Sequence, residues 1–130
     1  MLITLDTKSS TPIYIQLRNQ IVTGIGRGEL KAGENLPTVR QMASDIGVNT
    51  MTVNKTYQLL KAEGFIEIDR RKGVTVCPVS AFSEKYREKL EGELELLSAE
   101  ASLNGMDREE FLKTCSRIFG QMHPKQTGEV

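Results

Sequence analysis

The sequence predicts a mainly α-helical chain with a small β-hairpin wing: a winged helix-turn-helix followed by a C-terminal helical hairpin. Three observations predict it. Two short helical patterns between residues 38 and 64 are separated only by Gly47-Val48-Asn49. Two β-prone runs joined by a basic turn follow Gly64, and beyond Pro78 the pattern turns to one long amphipathic helix and one shorter one.

The first helix is expected from Pro12 to about Arg27, with Thr11 as N-cap and Pro12 at the first helical position, where its missing N–H costs nothing. Ile13, Leu17, Ile21 and Gly24 mark one face, flanked by Val22 and Ile25, and this face should form the floor of the core. The preceding Leu2-Ile3-Thr4-Leu5 is β-prone and reads either as a strand or as an arm on a partner subunit.

Pro37 holds the chain extended ahead of the second helix, and Thr38 is a good N-cap. Gln41 stands where its side chain could close a capping box onto the Thr38 N–H. Gly47 can take the left-handed conformation that stops this helix, and Asn49 caps the next one, which opens Thr50-Met51-Thr52. Two short helices joined by so tight a turn have helix-turn-helix spacing. In the third helix Val53, Tyr57 and Leu60 form the apolar stripe, widened by Thr56 and Leu59. Thr50, Met51, Asn54, Lys55, Gln58 and Lys61 lie opposite. Short polar side chains at the start of such a helix are where base edges are met in a major groove.

Gly64 ends that helix. Phe65-Ile66-Glu67-Ile68 alternates with period two, Asp69-Arg70-Arg71-Lys72-Gly73 is a basic turn, and Val74-Thr75-Val76-Cys77 is a second strand candidate. Residues 1–78 are therefore expected as the winged helix-turn-helix domain and residues 79–130 as a C-terminal helical segment. Over residues 82 to 103, Phe82, Tyr86, Leu90, Leu94, Leu97 and Ala101 recur at helical spacing before Asn104-Gly105 breaks the pattern. Asp107 and Glu110 form a capping pair for a final helix containing Phe111, Leu112, Cys115, Ile118 and Phe119 and ending near Gly120. So small a hairpin cannot bury two apolar stripes alone. It either folds back on its own winged domain or, as we expect, pairs with its copy in a homodimer through Phe82, Tyr86, Leu90, Leu94, Leu97, Phe111, Ile118 and Phe119.

Residues 12 to 76 resemble the DNA-binding domain of GntR-family bacterial transcription regulators. The matching pieces are Pro12-Ile13-Tyr14 with Gln16-Leu17 and Ile21, Gly28-Glu29-Leu30-Lys31-Ala32-Gly33, Leu36-Pro37-Thr38-Val39-Arg40, Gly47-Val48-Asn49, Thr52-Val53, Leu60-Lys61-Ala62-Glu63-Gly64-Phe65-Ile66, and the basic turn ending in Gly73. Each piece is weak alone; their order and intervals make the set specific. The short remainder, with Asn49, Thr52-Val53, Lys55 and Tyr57, resembles the YtrA-like subfamily, whose members end in a two-helix dimerisation segment. The resemblance implies a repressor of its own operon and of an ABC-type transporter, bound as a homodimer to palindromic double-stranded DNA.

The helix and wing pattern, together with the resemblance for Arg40, gives the expected DNA-binding set Thr38, Arg40, Thr50, Met51, Thr52, Asn54, Lys55, Arg70, Arg71, Lys72 and Gly73. Arg40 opposes the dipole of its own helix, a mismatch that an external anion would relieve. Many family members carry arginines at the places of Thr50 and Asn54, so this chain departs from them in base reading. Asn54 can bond an adenine edge, the Thr50 methyl or Met51 can meet thymine methyls, and Thr52 and Lys55 suit phosphates. Arg70, Arg71 and Lys72 would enter or flank a minor groove, with Gly73 shaping the turn.

The formal net charge is +0, with 38% hydrophobic and 26% charged residues, as in an ordinary soluble globular protein. The charge is uneven: residues 1–80 hold more bases than acids, and the remainder reverses that balance. Local cations, not the chain total, govern binding to a polyanion. No apolar run is long enough to cross a membrane and no leader is visible, so a cytoplasmic protein is expected. Cys77 and Cys115 lack metal-type spacing and read as buried, inert thiols; the lone His123 has no catalytic partner, and nothing specific makes Glu91, Glu93 and Glu95 a metal site. Neither cofactor nor metal nor enzymatic activity is expected, and an effector is unassigned. The alternative function is a winged-helix module that binds a protein partner through the same surface or the tail.

Overall fold

The computed structural model describes residues 2–126. It divides into two compact units: one built from the chain up to Val79 together with residues from His123 on, the other Ser80–Met122.

In the first unit, helix α1 (Ile13–Gly26) has Pro12 as its N-cap, one residue later than the sequence pattern places it. Thr11 does not cap because the segment before the helix is held otherwise: the Gln16 side-chain amide donates to the Thr11 carbonyl at 2.8 Å. Residues 2–5 form no strand. They run along α1, whose glutamines act as a substitute strand edge. Gln20 Oε1 accepts the Thr4 N–H at 2.8 Å while its Nε2 donates to the Thr4 carbonyl. Gln16 repeats the pattern on Asp6 at 2.8 and 2.9 Å. Ile3 and Leu5 pack against the core, so this arm lies on its own chain.

Strand β1 (Asn35–Leu36) precedes helix α2 (Val39–Ile46) and helix α3 (Thr50–Ala62). Thr38 caps α2 by accepting the Gln41 N–H at 3.1 Å, but the reciprocal half of the capping box does not form. The Gln41 side chain turns outward and donates to Asp45 at 2.8 Å, one helical turn on. Gly47 ends α2 at φ 73°, where any Cβ would be strained, and Asn49 caps α3 by accepting the Thr52 N–H at 2.8 Å.

The wing is β2 (Ile66–Asp69) against β3 (Gly73–Val76). β1 joins it, making a sheet in the order β1-β3-β2, with Asn35 opposite Thr75 and Leu36 opposite Val74. The sequence does not reveal this third strand, because two residues are too few to show an alternation.

The core collects where α1 and α2 meet α3: Leu17, Ile21, Val53, Thr56, Tyr57 and Leu60 are fully enclosed, whereas Leu59 is only half-buried. Two buried hydroxyls on α3 find backbone acceptors on opposite sides of it. Thr56 Oγ1 donates to the Tyr14 carbonyl at 2.9 Å, and the Tyr57 hydroxyl donates to the Pro37 carbonyl at 2.8 Å. Burial pushes the Tyr57 phenol far above its ordinary range, so it stays a donor at every physiological pH. At the end of α3, Arg18 clasps Glu63 with two bonds of 2.9 and 2.8 Å and lies 5.6 Å from the Phe65 ring centre.

In the second unit, helix α4 (Glu84–Leu103) starts two residues later than its apolar pattern, because Ser83 is the cap and accepts the Tyr86 N–H at 3.1 Å. Phe82 therefore lies outside the helix, with its ring edge-on to Tyr86 at 6.5 Å and the Arg87 guanidinium 4.7 Å above it. Tyr86, Leu90, Leu94 and Leu97 share one face of α4, and none is buried. Helix α5 (Arg108–Phe119) is capped by Asp107, which accepts the Glu110 N–H at 2.9 Å. Phe111 is half-buried, while Ile118 and Phe119 are exposed.

Division of the chain at residue 79 leaves out one feature. After Met122 the backbone returns to the first unit as a strap. His123 N–H donates to the Gly26 carbonyl at 2.8 Å, and the Lys125 carbonyl accepts the Ala32 N–H at 2.9 Å. Gly28, at φ +84°, sits under the strap, and a Cβ there would stand 2.4 Å from the His123 carbonyl oxygen. Gly64 has the same φ of +84° with nothing within 4 Å, so it separates backbone strain from the steric clash. We expect Gly64→Ala to cost about 1–2 kcal/mol for the left-handed conformation alone, and Gly28→Ala to cost more. Truncation after Met122 should bring Gly28→Ala back to the Gly64→Ala value in urea unfolding. Equal costs in the full chain would show that the strap does not bear on Gly28.

Candidate nucleic-acid interface

The outward face of α3 follows from helical geometry. With Val53, Thr56, Tyr57 and Leu60 inward, the 100° step per residue centres the wet face on Met51 and Gln58. Met51 is 80% exposed, a large apolar side chain held in water. Asn54 and Thr50 flank that face towards α2, and Lys55 flanks it towards α1; all three are exposed. Thr52 is half-buried, its N–H already taken by Asn49.

On the α2 flank, Thr38, Val39, Arg40 and Thr50 line one shallow, open depression where the N-termini of two helices converge. Thr38 uses one lone pair for its cap and keeps its hydroxyl proton to donate. Arg40 is exposed and, among the described residues, has no carboxylate partner. None of the three helices of this unit has an acidic residue in its first turn. Both helices of the other unit do: Glu84 in α4, Glu109 and Glu110 in α5. Carboxylates normally settle at helix N-termini. Their absence at these three leaves N–H groups and positive dipole ends for an outside anion.

On the α1 flank, the Lys55 ammonium stands 4.0 Å above the ring centre of Tyr14. Tyr14 enters the sequence analysis only in the family-matching piece Pro12-Ile13-Tyr14 and not in the DNA-binding set, since nothing in residue spacing links it to Lys55.

The wing tip is a three-residue loop, 70–72, between the paired Asp69 and Gly73. The Asp69 carboxylate accepts the Arg71 and Lys72 N–H groups at 2.6 and 3.0 Å, folding the loop so that its cationic side chains project outward. Those two bonds hold the Asp69 carboxyl below the usual carboxylate range, with the Lys72 charge assisting. Gly73, at φ +81°, closes the loop, and Asn35 braces it by donating to the Lys72 carbonyl at 2.5 Å. Sequence alone does not point to Asn35, because it belongs to the two-residue strand β1.

The structure thus brings Thr38, Arg40 and Thr50 together, and it sets Met51, Asn54 and Lys55 along one exposed surface. The cysteines differ from expectation in being half-buried rather than buried. Burial, with the nearby Glu67 charge, pushes the Cys77 thiol up and away from reactive thiolate. Among the described residues, no group of His, Cys, Asp and Glu is placed to hold a metal, and no helix is long and apolar enough to cross a membrane.

A helix-turn-helix with a braced cationic wing and acid-free helix starts defines a class, and comparison places the chain within it. Residues 10–76 match the bacterial regulatory proteins of the gntR family, and the chain belongs to that family. Within it the chain is YtrA-like. It is 41% identical over 75 residues to the HTH-type transcriptional repressor YtrA of Bacillus subtilis, covering 58% of each chain. It also matches the structure of YtrA from Sulfolobus acidocaldarius, a GntR-family transcription factor, with a TM-score of 0.65 and 38% identity over 76% of this chain and 99% of that one. The HTH-type transcriptional regulator YhcF of Bacillus subtilis is 34% identical over 107 residues, 82% of this chain and 88% of its own. The protein is a DNA-binding transcription regulator of this family.

The wing loop should respond to acid. Because the Asp69 carboxyl is depressed, the order it confers is complete above the ordinary carboxylate range, near about pH 4. That order is lost as pH falls through the lowered value. Amide exchange by NMR should show Arg71 and Lys72 protected at neutral pH and released in acid, and released at all pH values in Asp69→Ala. Equal protection in the variant would mean that β-pairing alone shapes the loop.

Proposed function

We propose that this protein is a repressor of its own operon and of an ABC-type transporter, and that it binds a palindromic operator as a homodimer. The observation carrying this reading is the depression formed by Thr38, Arg40 and Thr50 at two acid-free helix N-termini, beside the exposed start of α3. The regulatory sense is supported by the repressor YtrA of Bacillus subtilis, to which the chain is similar.

In this reading α3 lies in the major groove. Asn54 bonds an adenine edge, while the Thr50 methyl and Met51 meet thymine methyls. Arg40, Thr38 and the α2 N-terminus hold one phosphate strand; Thr52 and Lys55 hold the other. The groove is about 12 Å wide and a helix is about 10–12 Å across, so groups on both flanks of α3 reach opposite walls. Arg70, Arg71 and Lys72 follow the adjacent minor groove, with Gly73 and Asn35 fixing the loop. The uncovered face of α4, with Tyr86, Leu90, Leu94 and Leu97, and the exposed Ile118 and Phe119 of α5, pair with a second copy. Phe82 and Phe111 extend that contact.

A gel shift against DNA upstream of the protein's own gene, with nonspecific competitor, tests the core of the proposal. A retarded band that survives competitor, together with derepression of a reporter on deletion of the gene, is the expected result. Binding that competitor abolishes would discard it. Arg40→Ala should weaken this binding by about 1–3 kcal/mol, with little change in stability because the side chain is exposed. Parental affinity in the variant would remove Arg40 from the interface.

Leu94→Glu should convert dimer to monomer, since burying an unpaired charge costs several kcal/mol even after relaxation. Operator affinity should fall with it. Half-sites about 34 Å apart are held tightly only when one dimer spans both. Sedimentation analysis alongside the gel shift decides the matter: a monomer with parental affinity refutes the symmetric reading, and a persistent dimer moves the interface to another face.

A further inference from the structure

We propose that Tyr14 is a positioning residue for DNA binding, acting through Lys55. The inference rests on the reading of Lys55 as a phosphate contact. Lys55 is exposed, and its ammonium is 4.0 Å from the Tyr14 ring centre, well inside the cation–π range of about 6 Å. Among the described residues it has no carboxylate partner, so its N–H donors remain available.

The backbone that carries the ring is fixed. Tyr14 is half-buried in the first turn of α1, and its carbonyl accepts the Thr56 hydroxyl at 2.9 Å. Thr56 directly follows Lys55, so one short stretch of α3 both anchors the Tyr14 backbone and lays a cation on the Tyr14 ring. An unsupported lysine on a helix surface samples many rotamers, and freezing them on binding subtracts from affinity. A ring that already selects the outward rotamer removes part of that cost and aims the charge at one flank of the α3 face. The phenol oxygen has no part in this; the ring face does.

The test uses the full chain and DNA from upstream of its own gene, with affinity measured over a salt series. Lys55→Ala should lower affinity and reduce the log–log salt slope by about one, the signature of a lost phosphate contact. Tyr14→Leu should lower affinity about two- to fivefold with the slope kept, because the cation is still present but no longer aimed. Tyr14→Phe, which retains the ring face, should bind like the parent. In the Lys55→Ala background, Tyr14→Leu should have no further effect. Should Tyr14→Leu fail to fold, trifluorophenylalanine at position 14 weakens the ring's attraction for a cation at nearly constant volume and should give the same partial loss.

A silent Lys55→Ala would overturn both the assigned phosphate contact and this inference. An active Lys55→Ala combined with an additive Tyr14→Leu would overturn the inference alone. A Tyr14→Phe as weak as Tyr14→Leu would assign the effect to the hydroxyl and likewise refute positioning through the ring.

Discussion

The hydrogen bond from the buried Tyr57 hydroxyl to the Pro37 carbonyl, 2.8 Å long, is the constraint around which the winged unit is arranged. Tyr57 sits on α3 with no exposure, so its hydroxyl must find a partner inside the protein. The partner chosen is the carbonyl just ahead of Thr38, the residue that caps α2. One side chain therefore fixes where α2 begins relative to α3, and with it the depression shared by Arg40 and Thr50. The adjacent Thr56 does the equivalent on the other side, reaching the Tyr14 carbonyl at the start of α1. Two neighbouring residues, one helical step apart, thus set both flanks of the exposed α3 face. Apolar side chains alone would leave those flanks free to slide, because hydrophobic burial is non-directional.

Much of this unit was legible because its elements carry local signals. Thr38, Asn49 and Asp107 cap their helices through contacts within a few residues, which a sequence displays directly. The stripe of Val53, Thr56, Tyr57 and Leu60 is legible for the same reason. What escaped depends on contacts without a period. Strand β1 is two residues whose partners lie in β3, far along the chain. The Gln16 and Gln20 amides replace a strand for the N-terminal arm, a use of side chains that no propensity encodes. Phe82 matched the α4 pattern by spacing, yet Ser83 competes as a cap and places it outside the helix. Around the candidate site, the caps Thr38 and Asn49 and the outward face of α3 are readable locally, whereas the contacts of Tyr14 with Lys55 and of Asn35 with the wing loop are not.

The formal charge of +0 describes neither unit. In the winged unit Arg40, Lys55 and the wing-tip cations are exposed, Arg40 and Lys55 form no ion pair among the described residues, and the helix starts are free of acids. In the hairpin unit, Lys89 pairs with Glu93 on α4 and Lys113 with Glu109 on α5, each at i and i+4. Exposed pairs of this kind contribute at most about 1 kcal/mol each. Their consequence is chiefly electrostatic: they occupy hairpin cations, on a segment where acids outnumber bases, and leave the winged unit as the region that attracts a polyanion. Long-range attraction fades beyond about 8 Å at physiological salt, so the local arrangement outweighs the total.

The remaining constraint is the apolar face of α4. Leu90 and Leu94 are each 40% exposed and Leu97 is 57% exposed, on a helix none of whose residues is buried within the chain. An isolated helix gains most of its stability from packing such a face. The proposed second copy supplies that packing, and it couples folding to recognition. In the proposed dimer, once one winged unit was seated its partner would be held near the neighbouring half-site at a high effective concentration, so the second contact would add affinity without new chemistry. Modest individual contacts then suffice. The proposed reading agrees with an α3 face carrying Thr50 and Asn54 rather than arginines, because short polar side chains there would discriminate between bases while adding little nonspecific attraction to phosphate. In the proposed design selectivity would come from pairing two weak readers, and the cations on the flanks and wing would set only how strongly the pair holds.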